Sequence, residues 1–124
     1  MNLKKLFTRF LPGFRDHSPP TPEEQELRIT TVQEPADDAA LAALIAELTS
    51  AITAAQAGSF DEYESVGEPG RPCIYLYGPS ADRLVEVINP VLRRYPWTDG
   101  AELYRAYGNN LDPATQEKIT TFHC

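Results

Sequence analysis

Basic side chains are scarce in this sequence: eleven Lys and Arg stand against eighteen Asp and Glu, for a formal net charge of −7. Such a balance repels phosphate backbones and argues against nucleic-acid binding. Histidine is limited to His17 and His123, and cysteine to Cys73 and Cys124, with no Cys-x-x-Cys pair. A structural zinc needs four ligands at suitable spacing, so no metal site is expected. Neither a Gly-x-Gly-x-x-Gly stretch nor a Walker-type loop is present, which removes the common phosphate cradles. No apolar run nears the ~20 residues of a membrane span, and the N-terminus lacks the pattern of a secretory signal. Together these gaps predict no catalytic residue, no cofactor and a reducing, cytoplasmic setting.

What charge there is has been divided unequally. Residues 1–15 hold Lys4, Lys5, Arg9 and Arg15 with no acid, a local +4, which leaves −11 on the remainder. In the same stretch Leu3, Leu6, Phe7, Phe10, Leu11 and Phe14 recur at spacings of three and four, the signature of a short amphipathic helix. Residues 16–25, with Ser18-Pro19-Pro20-Thr21-Pro22, read as a Pro-rich linker. A single folded domain is therefore expected over residues 26–124, which is ample length for a core without staples.

Within that domain, Leu27, Ile29 and Thr31 alternate with polar or exposed partners and predict a strand that Pro35 stops. Asp37 or Asp38 then caps a helix whose stripe is Leu41, Leu44, Ile45, Leu48, Ile52 and Ala55, with Gly58 as its stop. Phe60–Val66 alternates as a polar strand, and Cys73–Tyr77 is an apolar run suited to a central strand. Ser80 caps a second helix with Leu84, Val87, Ile88, Val91 and Leu92 on one side, which Pro90 should kink or shorten. A strand over residues 101–107 follows, with room for an extra edge strand at residues 119–122. Strand, helix, strand, strand, helix, strand predicts an α+β protein of the ferredoxin-like β-α-β-β-α-β kind, with both helices on one face of an antiparallel sheet.

The segment Tyr77-Gly78-Pro79-Ser80-Ala81-Asp82-Arg83-Leu84, with Pro90-Val91-Leu92 and Arg105-Ala106-Tyr107-Gly108, resembles a pattern found in small uncharacterised bacterial proteins. The resemblance spans roughly residues 60–108. It implies a ferredoxin-like fold and a bacterial source, and carries no activity or functional residue with it.

Candidate partner-binding residues are Asp61, Glu62, Tyr63, Glu64 and Glu68, with Trp97 in a turn after the second helix. Period-2 geometry puts Glu62 and Glu64 on one face of a strand, where they either meet a cationic partner or guard an exposed edge. Tyr63, Tyr75, Tyr77, Tyr104 and Tyr107 all fall on predicted strands, as packing groups or interface groups. Trp97 is either a lid on the core or an exposed anchor. The leading expectation is a non-enzymatic module with a protein partner, for example an immunity or inhibitor protein against a basic toxin or nuclease. The alternatives are a small-molecule sensor or minor enzyme, and a peripheral membrane adaptor using the apolar side of residues 1–15. That helix has a third option, folding back on its own domain. A homodimer is also compatible with the sequence.

Overall fold

The computed structural model describes residues 24–67, 70–108 and 114–124. The expected N-terminal helix, most of the linker and Glu68 lie outside the described residues. The elements run β1 (Gln25–Thr30), α1 (Asp38–Ala54), β2 (Ser59–Val66), β3 (Arg71–Gly78), α2 (Ala81–Leu92), a 3₁₀ turn (Pro96–Thr98), β4 (Glu102–Ala106) and β5 (Glu117–Thr121). The strands form one antiparallel sheet in the order β2-β3-β1-β4-β5. The architecture is α+β, and the anticipated strand–helix succession is followed by a fifth strand along β4.

Local chemistry accounts for the elements. Asp37 sits in extended backbone and its carboxylate accepts from the Ala40 amide at 2.8 Å, filling one of the donors that a helix start leaves open. Ser80 does the same for α2 through the Arg83 amide at 3.1 Å. The buried side of α1 is Leu44, Leu48 and Ile52, and that of α2 includes Leu84, Ile88, Val91 and Leu92. Both helices press these residues against Leu27 and Ile29 of β1, Ile74 and Leu76 of β3, and Leu103 of β4, which form one core. Each of the large aliphatic side chains in it contributes roughly 1.5–3 kcal/mol of transfer free energy, an upper estimate because the unfolded chain is not fully extended.

Three local expectations are corrected. Pro90 does not end α2, which continues to Leu92. Gly58 is not the stop of α1: the helix ends at Ala54, and Gln56 takes the left-handed turn at φ 53°. The edge strand at the C-terminal side spans Glu117–Thr121; Phe122 falls just after it, where its side chain is buried and its backbone still bonds Gly100 and Ala101. Among the described residues no helix is long and apolar enough to cross a membrane.

Candidate functional site

The second face of the sheet carries no described helix. Its residues follow from strand register: Glu26, Arg28 and Thr30 on β1, Cys73, Tyr75 and Tyr77 on β3, Tyr104 on β4, and Glu62 and Glu64 on β2. The placement on β2 depends on a β-bulge. The pairing shifts between Phe60 and Glu62, leaving Asp61 as the extra residue. One inserted residue reverses every side chain that follows it. Phe60 and Tyr63 thus face the helix side, whereas Glu62 and Glu64 face the other.

The β1, β3 and β2 part of this face holds buried carboxylates, while towards β5 it opens to solvent at Ile119. Glu26 is 1% exposed, Glu64 4% and Glu62 8%, which corrects the expectation that Glu62 and Glu64 stand on a solvent-washed surface. Arg28 lies beside Glu26 and between Tyr75 and Tyr104. Its Nε is 3.1 Å from Glu26 Oε2, and its guanidinium carbon lies 4.5 Å from the Tyr104 ring centre and 5.4 Å from that of Tyr75. Those distances are in the cation–π range. Tyr77 donates to Glu26 Oε2 at 3.0 Å, Tyr75 donates to Glu64 Oε2, and Tyr104 donates to Glu117. Thr30 donates to Cys73 Sγ at 3.3 Å. Glu64 Oε1 is buried and accepts no hydrogen bond from any described residue.

The electrostatics follow from burial and from these bonds. Burial opposes the Arg28 charge, but the Glu26 carboxylate and the two rings outweigh it, and the guanidinium holds its proton more firmly than usual. Burial and the bond to Glu64 push the Tyr75 phenol above its ordinary range. Burial and the bond to Glu117 push Tyr104 up to about 12. Burial also pushes the Cys73 thiol up, which leaves it a poor nucleophile. In the Tyr75–Glu64 and Tyr104–Glu117 pairs the neutral phenol is the donor, so the folded state keeps protons that the unfolded chain releases near pH ~10. Stability is therefore expected to be intact below that point and to fall as pH rises from about 10 towards 12. Urea denaturation across that window should show the decline, and Tyr104→Phe should flatten part of it. A decline unchanged in the Phe variant would contradict the assignment to Tyr104.

The five candidate residues that are described do not share a surface. Glu62 and Glu64 lie on the helix-free face, and Asp61 marks the bulge. Tyr63, 36% exposed, borders an apolar hollow of about 330 Å³ with Leu41, Ile45 and Phe60, on the opposite side of β2. Trp97 is half-buried against the core, where its indole N–H meets no described acceptor. Sequence reasoning missed Glu26 and Arg28, although polar residues at alternate positions of a central strand are a signal for a second buried face. Tyr107 lies past the end of β4 and donates to Asp82 at 2.8 Å, beside an Arg105–Asp82 ion pair.

Three carboxylates, three phenols and a buried thiol offer no activated nucleophile, and no three His, Cys, Asp or Glu among the described residues are grouped to hold a metal ion. What the arrangement can do is hold cations, because carboxylates and aromatic faces attract guanidinium and ammonium groups together. Comparison of the chain with protein-family models, curated proteins and solved structures returns no match.

Proposed function

We propose that this chain is a non-enzymatic protein-binding module of ferredoxin-like fold, whose helix-free sheet face takes a basic segment of another protein. The strand order through β2-β3-β1-β4, with two helices on one face, supports that fold reading. One observation carries the functional reading. Arg28 already occupies this face in the way an incoming cation would, against a carboxylate and between two tyrosine rings, while the buried Glu64 Oε1 has acceptor capacity left. A partner's Lys or Arg would complete the pattern with charge-assisted bonds. Inhibition of, or immunity to, a basic toxin or nuclease is the concrete form such binding takes in this proposal.

The test uses a synthetic fifteen-residue amphipathic peptide of Leu, Phe and four Lys or Arg, and the same peptide with Glu at the basic positions. Calorimetry with the full chain is expected to show salt-sensitive binding of the basic peptide alone. Glu62→Gln with Glu64→Gln keeps side-chain volume, and thermal unfolding checks that the fold survives. That variant should lose at least tenfold in affinity. Equal binding of both peptides, or an unaltered affinity in the folded double variant, sinks the proposal.

A further inference from the structure

A sheet face that bears no helix among the described residues ought to be wet, yet here Glu26, Glu62 and Glu64 are buried. Both described helices are committed to the other side. The chain outside the described residues includes a segment with the chemistry to cover this face. Residues 1–15 combine +4 with an apolar stripe, and the face they would meet carries more carboxylates than guanidiniums. We infer that residues 1–15 fold back onto the helix-free face and occupy, within the same molecule, the site proposed above for a basic partner. The inference rests on that proposal and adds its regulation: a partner must displace the chain's own segment.

The dimensions allow it. β1 is the middle strand and begins at Gln25, so the tether enters at the centre of the sheet. Residues 16–24 span about 28 Å even in a polyproline conformation, whereas five strands cover only about 19 Å from first to last. A fifteen-residue helix is about 22 Å long, enough to cross the sheet. With the Leu and Phe stripe resting on the tyrosine rings, Lys4 and Arg15, which flank the stripe, would reach Glu26, Glu62 and Glu64, and Lys5 and Arg9 would add to the local positive field. Intramolecular tethering raises the local concentration of the segment to the millimolar range, which makes it an effective competitor.

Two measurements on the full chain decide the matter. Carbodiimide joins amines to carboxylates only where they touch, so an equal mixture of isotopically light and heavy protein is treated and the cross-linked peptides identified by mass. Links from Lys4 to Glu26, Glu62 or Glu64 are expected within one isotope only. Separately, the variant Lys4→Glu, Lys5→Glu, Arg9→Glu, Arg15→Glu should bind the synthetic basic peptide at least tenfold more tightly than the native chain does. Links absent or shared between isotopes overturn the inference, as does equal peptide affinity in the two chains. Equal affinity with the Glu62→Gln, Glu64→Gln effect intact would leave the binding face standing and remove only its intramolecular occupant. Loss of that effect would remove the binding face itself.

Discussion

Arg28→Ala is expected to lower the free energy of unfolding by about 2 to 3 kcal/mol, at or below the low end for breaking a fully buried ion pair because Arg28 is partly exposed. The side chain of Glu26 is 2% exposed and that of Arg28 33%, so water screens one partner but hardly reaches the other. Removing the guanidinium takes the counter-charge from a carboxylate that burial already disfavours, and takes a stacked plane from Tyr104 and Tyr75. Arg28→Lys restores charge without the planar fork and should recover only part of the loss. The informative comparison is Glu26→Gln with Arg28→Met, which removes both charges at once. Urea denaturation should place that double variant closer to the native chain than Arg28→Ala, with a coupling of about 1 kcal/mol or more. Additive losses would mean that the pair contributes nothing as a pair.

A larger effect is expected at Gly58. The loop leaving α1 crosses the end of β3 there with the two backbones in contact: a Cβ on Gly58 would lie 2.0 Å from the Tyr77 carbonyl oxygen, and one on Gly78 would lie 2.1 Å from that of Ala57. Gly58 also has φ +155°, which side-chain-bearing residues rarely adopt. Gly58→Ala must push β3 away from the loop, and β3 carries Ile74 and Leu76 of the core. A loss of about 4 kcal/mol or more follows, at the extreme of single substitutions. Gly108→Ala is the control, because its nearest neighbour would be the Thr115 hydroxyl at 3.4 Å. Thermal unfolding should show the control within a degree or two of the native chain and the Gly58 variant largely unfolded at 37 °C. A Gly58 variant as stable as the control would disprove the close crossing.

Features written in consecutive residues were legible before the fold was known. Asp37 and Ser80 announce helix starts because a short acceptor followed by an apolar period of 3.6 has few other uses. Leu44, Leu48 and Ile52 announce the buried stripe, and the alternation in β1 announces which of its residues face the helices. The proline in α2 misled because a ring in the last turn removes only one internal hydrogen bond, and Val91 and Leu92 beyond it gain enough burial to hold the helix. The bulge at Asp61 was silent: nothing in Phe60-Asp61-Glu62 distinguishes an inserted residue from a paired one. Without it Phe60 and Glu62 would share a face, and the reading of β2 would have been coherent but wrong about which side Phe60 serves.

The candidate site was harder to read for the same physical reason. A carboxylate in a strand is ordinarily solvated, and the features that reverse this for Glu64 and Glu26 lie across the sheet. Tyr75 and Tyr77 are 11 and 51 residues away in sequence from the acids they bond. Only pairing register brings them together. The usable clue was the polar half of β1, read only as an alternating strand, beside the tyrosine half of β3, the strand expected to be central.

The two thiols of this chain have opposite fates, and that asymmetry makes the molecule its own reporter. Cys73 is buried beside Thr30 with its thiol proton held tightly, whereas Cys124 is exposed and its backbone amide is anchored to Asp99 at 2.8 Å. A maleimide dye added to the native protein will therefore attach at residue 124 alone. It will sit at a fixed spot beside the turn that precedes β4, so distances to a second probe can be followed without engineering away the other thiol.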